Sequence, residues 1–334
     1  MASYIRKNNL ASKTHDPDFD INIEVIGICS NNVEPWILTD LACNLLGVTS
    51  VPLYETLGDE MLELILDQTE MTTLFGEEKT IKRVLELKKE QHRLDKIVVF
   101  DKEISDTLKS LANSANIQLI HFSDTIAEEP EEPITSESNT LDQVFTISYT
   151  SGTSGNSKGV MLTNGNFLSA ITNILNMATG LNINCSDVYI SYLPLAHVFD
   201  RLGVHTMLSR GAKIGFYGGV ILQIISDLAI LKPTIFVSVP RLLNKVYDRV
   251  ISGLNEKSLF KKFMFYQGLT TKEYYLKNYG WVTNPWIDSL VFSLPKERLG
   301  GRVRIMLTAS APISAQVLSF LRCVFCCPIV EAYG

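Results

Sequence analysis

The sequence predicts an α/β fold of two lobes built on mainly parallel sheets, and three observations carry that prediction. Short β-branched runs alternate with segments of helical pattern along the chain, the order that strands and crossover helices give a parallel sheet. Hydrophobic residues make up 46% of the 334 residues, enough for a large core, so wholesale disorder is excluded. The run Glu128-Glu129-Pro130-Glu131-Glu132-Pro133 reads as a solvated linker between one lobe and the next. The expected organisation is a polar segment over residues 1–22, a first α/β lobe over 23–127, an acidic linker over 128–140 and a second α/β lobe over 141–334.

Residues 23–29 are mostly apolar, with β-branched Ile23, Val25, Ile26 and Ile28, and read as a buried strand. Glu34-Pro35-Trp36 opens a helix over 34–46, with proline in the first turn, where an N–H has no helical partner. Residues 48–53 read as a strand, 59–68 as a helix, 72–75 as a short strand, 79–90 as a charged helix and 97–100 as a strand. Beyond the linker, 144–149 is a β-branched and aromatic strand and 166–177 a helix. Further strands are expected over 188–193, 213–217, 234–239 and 302–309, and helices over 204–210, 220–231, 241–254 and 314–323. Residues 260–284 form a charged and aromatic insertion of helical pattern, and 328–333 begins another strand. No internal repeat is visible in the sequence.

Lys+Arg numbers 30 against 36 Asp+Glu, a net charge of −6, which lacks the basic footprint of a nucleic-acid binder. The six cysteines show no disulfide framework. Cys323-x-x-Cys326-Cys327 has no second Cys or His cluster nearby to complete four metal ligands, so buried thiols in a reducing, cytoplasmic setting are expected. The first twenty residues carry no apolar signal-peptide core. The longest apolar stretch, 220–239, holds Asp227, Lys232 and Pro233 and divides into a helix and a strand, so no membrane span is expected. Peripheral contact with the endoplasmic reticulum or another membrane stays open, and so does the oligomeric state.

The densest chemistry lies in Tyr149-Thr150-Ser151-Gly152-Thr153-Ser154-Gly155-Asn156-Ser157-Lys158-Gly159. Glycines let backbone approach an anion, N–H groups and hydroxyls donate to it, and lysine offsets its charge. A strand, this loop and a following helix would grip a nucleoside triphosphate. The order is not a Walker A loop, in which glycine and lysine adjoin. Gly155-Asn156-Ser157-Lys158-Gly159 formally fits the nucleophile elbow, but Ser157 lies several residues past the strand end. A serine hydrolase using Ser157 is therefore kept only as a remote alternative.

Three further stretches stand at strand ends, where ligands bind in such sheets. Ser191-Tyr192-Leu193-Pro194-Leu195-Ala196-His197-Val198-Phe199-Asp200-Arg201 places His197, Asp200 and Arg201 just past a strand. His197 fits a structural or a functional role on this ground alone. Thr308-Ala309-Ser310-Ala311-Pro312-Ile313-Ser314 is a small-residue turn, with Ser314 suited to cap the next helix. Glu331-Ala332-Tyr333-Gly334 ends the sequence.

The loop resembles the phosphate loop of the adenylate-forming (AMP-binding) superfamily, with Ser157 where that family usually has proline. Leu193-Pro194-Leu195-Ala196-His197-Val198-Phe199-Asp200-Arg201 narrows the resemblance to the long-chain fatty acyl-CoA synthetases. Gly215-Phe216-Tyr217-Gly218-Gly219, the run from Lys232-Pro233-Thr234 to Leu243-Asn244, and Leu299-Gly300-Gly301-Arg302-Val303-Arg304 are similar to the same branch. Upstream, so are Thr39-Asp40-Leu41-Ala42-Cys43-Asn44 and the run from Ser50-Val51-Pro52 to Leu57-Gly58. The likeness extends from about Val25 to Gly334.

The resemblance implies ATP, Mg2+ and CoA acting on a fatty acid: an acyl-adenylate and pyrophosphate form first, then the CoA thiol displaces AMP. It implies phosphate binding by Thr150, Ser151, Gly152, Thr153, Ser154, Gly155 and Lys158, with Lys158 and His197 catalytic. Thr153 is a candidate Mg2+ ligand in an incomplete metal site. His197 would lie by the acyl carboxylate, and Arg201 by the gate of the acyl tunnel or in an ion pair with a nearby carboxylate. Ser310, Ala311 and Pro312, with Glu331, Ala332, Tyr333 and Gly334, would line the adenine, Tyr333 stacking on it or packing in the core. Family members run longer at both ends. The expectation is therefore a partial large N-terminal domain of the adenylate-forming fold, without its small C-terminal domain, and of doubtful activity alone. The alternative is a non-catalytic nucleotide- or acyl-binding fragment or an incomplete gene model.

Overall fold

The computed structural model describes residues 1–16, 20–89, 91–127, 134, 139–150, 158–176 and 181–332. The chain forms two compact units, Met1–Thr172 with Pro194–Arg201, and Asn173–Leu193 with Leu202–Gly334.

The first unit holds helix α1 (Ala2–Lys7), strands β1 (Ser12–Asp16) and β2 (Ile21–Cys29), α2 (Glu34–Leu46), β3 (Thr49–Leu53), α3 (Asp59–Thr69) and β4 (Thr73–Gly76). It continues with α4 (Glu78–Leu87), β5 (Lys96–Val99), α5 (Asp106–Ser114), β6 (Gln118–His121), α6 (Phe122–Ala127), β7 (Val144–Thr150), β8 (Lys158–Thr163) and most of α7 (Asn164–Asn176). The strands form one sheet in the order β6-β5-β4-β2-β3-β7-β8, with β1 on β2. β2 to β7 run parallel, while β1 pairs with β2 and β8 with β7 in antiparallel fashion. Alternate residues enter two separate cores: Val25, Leu74 and Ile97 pack in one, Ile26, Phe75 and Val98 in the other. Burial of both faces explains why these strands read as unbroken apolar runs.

The second unit holds β9 (Val188–Ser191), α8 (Val198–Leu208, whose first turn counts with the first unit), β10 (Lys213–Phe216), a turn of 3-10 helix at Ile221–Gln223, and α9 (Ile224–Leu231). Then come β11 (Ile235–Ser238), α10 (Pro240–Asn255), α11 (Leu259–Tyr279), α12 (Pro285–Leu290), α13 (Ser293–Arg298), β12 (Ile305–Thr308), α14 (Ala315–Phe325) and β13 (Ile329–Glu331). The sheet is β10-β9-β11-β12-β13, parallel throughout. Gly300 at φ 87° turns the chain into β12, and a Cβ there would meet Leu228 O at 2.6 Å and Lys232 Cα at 2.7 Å.

The α/β class and the mainly parallel sheets hold, but four expectations are corrected. The division does not fall at 128–140, because β7 and β8 complete the first sheet and carry the first unit past residue 141 to Thr172. Residues 128–133 and 135–138 of the expected linker lie outside the described residues. The segment 1–22 is not merely polar: Ile5 and Leu10 are buried, and β1 pairs along β2. The glycine-rich loop joins two antiparallel strands, since Val160, Met161 and Leu162 continue β8 before α7 begins. Helix α8 starts at Val198, six residues before the expected 204. No helix among the described residues is long and apolar enough to cross a membrane.

Candidate functional site

In the first unit, Thr150 and Lys158 face each other as the last described pair of the β7–β8 ladder, both exposed. Ser151, Gly152, Thr153, Ser154, Gly155 and Ser157 lie outside the described residues. The ladder that presents them is tightly made. A Cβ on Gly159 would meet Ile147 Cγ2 at 2.8 Å and Tyr149 Cζ at 3.1 Å, so only glycine fits opposite Tyr149. The Tyr149 hydroxyl donates to Gln68 Oε1 at 3.0 Å, and burial pushes the phenol up to about 12.

The segment Pro194–Arg201 is anchored in this same unit. Asn32 accepts from the Leu195 N–H through Oδ1 at 3.1 Å and donates through Nδ2 to Asp200 Oδ2 at 3.2 Å. Arg201 is 1% exposed. Its Nε and Nη2 grip both oxygens of buried Asp40, Nη1 donates to Thr146 Oγ1 at 2.7 Å, and Nη2 donates to Ser50 Oγ at 2.6 Å. Its guanidinium carbon lies 4.4 Å from the Phe145 ring centroid and 5.3 Å from that of Trp36. Of the two arrangements expected for Arg201, the structure shows the ion pair with a buried carboxylate.

His197 precedes the first residue of α8 and serves as its cap, Nδ1 accepting from the Phe199 N–H at 3.1 Å. A ring nitrogen that accepts carries no proton, so neutral His197 holds its hydrogen on Nε2. The side chain meets solvent on one side, while burial of the rest lowers its pKa below the ordinary histidine value. The result is a neutral hydrogen-bond donor on a pinned backbone.

In the second unit, Ser310, Ala311 and Pro312 form an exposed turn after β12. Ser310 has φ 76°, a left-handed conformation uncommon outside glycine, and Ser314 Oγ accepts from Val317 N–H to cap α14. Glu331 ends β13, and Ala332 N–H donates to Thr308 O at 2.8 Å. Tyr333 and Gly334 lie outside the described residues.

Two hydroxyls lie in stretches already described, Ser238 in the run from Lys232 to Asn244 and Thr308 at the head of the small-residue turn, with no role read for either from the sequence. Ser238 and Thr308 are adjacent in register at the carboxyl ends of β11 and β12, both fully buried, and neither Oγ has a partner among the described residues. An orphaned buried hydroxyl costs about 1–3 kcal/mol. The two stand on one face, beside the switch point where β9 meets β11. Ser and Thr in apolar strands gave no signal beyond their polarity. Cys323, Cys326 and Cys327 are buried, as expected, and no group of three or more His, Cys, Asp or Glu among the described residues could hold a metal ion.

A family model described as AMP-binding enzyme matches residues 22–334. Long chain acyl-CoA synthetase 4 of Arabidopsis thaliana is 37% identical over 316 residues, covering 92% of this chain and 47% of the relative. Fatty acyl-CoA synthetase A of Dictyostelium discoideum is 36% identical over 330 residues, covering 99% and 48%. The chain thus spans about half the length of these curated relatives. Among solved structures, the A domain of a carboxylic acid reductase from Segniliparus rugosus, in complex with AMP and a co-purified carboxylic acid, superposes with a TM-score of 0.67 at 19% identity. That match covers 97% of this chain and 56% of the other, and at such identity it speaks for the fold.

Proposed function

The chain belongs to the AMP-binding enzyme family, and from that premise we propose that it carries the carboxylate-activating part of a long-chain fatty acid–CoA ligase. Fatty acid and ATP give acyl-adenylate and pyrophosphate, and CoA then takes the acyl group and releases AMP. The observation that carries this is the pinned, neutral His197. A carboxylate that must attack the α-phosphorus has to be held without its charge being quenched, and a neutral Nε2–H donor does so by alignment. Asn32 and the Arg201–Asp40 pair fix the backbone on which His197 sits, so Arg201 acts by positioning.

Thr150 and Lys158 are proposed to flank the triphosphate, the lysine offsetting charge on the leaving pyrophosphate. Ser151, Gly152, Thr153, Ser154 and Gly155 would complete the phosphate grip. Mg2+ belongs to this reading through the family alone. The candidate ligand Thr153 lies outside the described residues, and no step is assigned to the metal. Ser310, Ala311 and Pro312, with Glu331, Ala332, Tyr333 and Gly334, are proposed to line the adenine, and the Ser238 and Thr308 hydroxyls to meet polar atoms beside it. The proposed setting is the cytoplasm, with peripheral membrane contact as the source of the amphiphilic substrate.

Hexadecanoate-dependent exchange of labelled pyrophosphate into ATP tests the proposal on the 334-residue chain. Exchange that needs the fatty acid and falls at least tenfold in Lys158→Ala and in His197→Ala supports it. ATP binding by a folded chain that shows no exchange favours the non-catalytic nucleotide- or acyl-binding alternative.

A further inference from the structure

The second unit contains a cavity of about 810 Å3 that none of the candidate site residues lines. It opens between the second half of α10, the start of α11, and α12–α13. Its walls include Val246, Val250, Leu254, Met264, Phe265 and Leu299. Phe260, Leu290 and Leu294 stand in water at its mouth, 70%, 74% and 51% exposed, although each borders the apolar interior. Apolar side chains left out around a concavity of this size mark a binding site more often than chance exposure does.

The charges around it are one-sided. Arg249, Lys257, Lys261 and Arg298 line the opening, all exposed, against one acid, Glu256. None of the four cations has a carboxylate partner among the described residues. Gly253 lies in the wall within the 16-residue α10, where glycine weakens a helix. An added Cβ there would meet nothing within 4 Å, so the room beside it is open.

An apolar cavity with an uncompensated cationic mouth complements a single-chain amphiphile with an anionic head. We propose that this groove binds a long-chain carboxylate, as an acyl-binding site separate from the adenylation site. The chain lies along Val246, Val250 and Leu254, and the carboxylate meets the ring of Arg249, Lys257, Lys261 and Arg298. A concave enclosure suits one molecule, whereas a bilayer surface would need a flat or convex face. The site rests on side chains other than those assigned to adenylation, so it does not depend on that assignment.

A hexadecanoate bearing a diazirine at its methyl end, photolysed with the whole chain below the concentration at which the probe aggregates, tests the proposal. Label is expected on peptides of α10 to α13. It should fall at least tenfold in Gly253→Trp, which fills the groove, in the Arg249→Glu/Arg298→Glu pair, and with the methyl ester of the probe. Each variant is scored where its thermal unfolding matches the wild type; the ester arm needs no variant at all. Pyrophosphate exchange, read in parallel, should be unchanged in these variants, which separates failure of the groove from failure of the adenylation site. Label confined to residues 191–201, or label that survives the ester and the groove variants, overturns the proposal. So does labelling that requires phosphatidylglycerol vesicles, which would assign the face to a bilayer.

Discussion

Each unit buries a cation, and the two are held differently. Arg201 in the first unit is 1% exposed and spends its fork on Asp40, Ser50 and Thr146, drawn from α2, β3 and β7. Its partner Asp40 is 161 residues away and fully buried. Lys272 in the second unit is also 1% exposed, but it pairs with Asp288 only 16 residues on and lies 3.2 Å from Cys326 Sγ. The Asp288 side chain keeps 14% exposure. Arg201 therefore joins elements far apart in sequence and holds the segment bearing His197, whereas Lys272 fastens α11 to its own neighbours. A guanidinium suits the first task because its planar fork meets several acceptors at fixed angles; an ammonium suffices for the second.

The most severe way to break this contrast is to remove each cation alone. Arg201→Met leaves the Asp40 carboxylate buried without its fork and should lower the unfolding free energy by about 3–5 kcal/mol. Lys272→Met should cost less, about 1.5–3 kcal/mol, because Asp288 can turn toward water. Urea unfolding of the two variants checks the order, and equal losses would abolish the distinction. Pyrophosphate exchange should drop with Arg201→Met and not with Lys272→Met at temperatures where both remain folded.

Removing both partners sharpens it. A buried ion pair replaced by neutral groups of similar shape is often nearly neutral. Lys272→Met with Asp288→Asn should recover more than about half of the single-variant loss, because the asparagine oxygen can still accept from the Asn284 N–H that Asp288 Oδ2 now receives. Arg201→Met with Asp40→Leu should recover less than about half, because neither new side chain can donate to Thr146 Oγ1 and Ser50 Oγ. A double-variant cycle at each site, read by the same unfolding midpoints, decides the matter.

The two sites also differ in how far the sequence disclosed them. Arg201 stood beside His197 at a strand end, so both its roles were in view, but an ion pair across 161 residues is a product of sheet order, which local pattern does not encode. Lys272 gave no sign at all, since it sits in a helix whose charged and aromatic residues are spread around the axis, and what encloses it is Asp288, Phe292 and Cys326, brought in from later in the chain. Helix 34–46 was legible to the residue because proline opens it and Gly47, at φ 72°, closes it. Strand β8 was missed because Lys158 and Gly159 look like loop, and what makes them strand is the ladder to β7. The absence of a sequence repeat hid a topological one: β3-β2-β4-β5-β6 and β10-β9-β11-β12-β13 follow the same order, second-first-third-fourth-fifth. Strand order is set by crossover handedness and burial, which many sequences satisfy. The orphaned hydroxyls of Ser238 and Thr308 became visible only when their strands were paired.

The smallest effect belongs to a third pair, which extends the comparison toward the surface. Arg304 keeps 35% side-chain exposure while Asp187, its partner, keeps 3%. Burial works to raise the Asp187 pKa, but hydrogen bonds from Arg304, from the Thr234 hydroxyl and from the Asn184 N–H outweigh it, so the carboxyl titrates below the ordinary aspartate value. A carboxyl depressed in the folded state adds stability above its unfolded pKa of about 3.9 and loses it as pH falls through the folded value. Arg304→Gln should therefore lie about 1 kcal/mol or less below the wild type at pH 7. The gap should close as the pH is taken below about 4, because the wild type alone loses the contribution there. Urea midpoints at neutral and acid pH measure it. A gap that persisted in acid would mean that Arg304 acts by packing its stem and not by its charge. Exposure would then cease to rank the three cations, and the reach of each fork across the sheet would have to rank them instead.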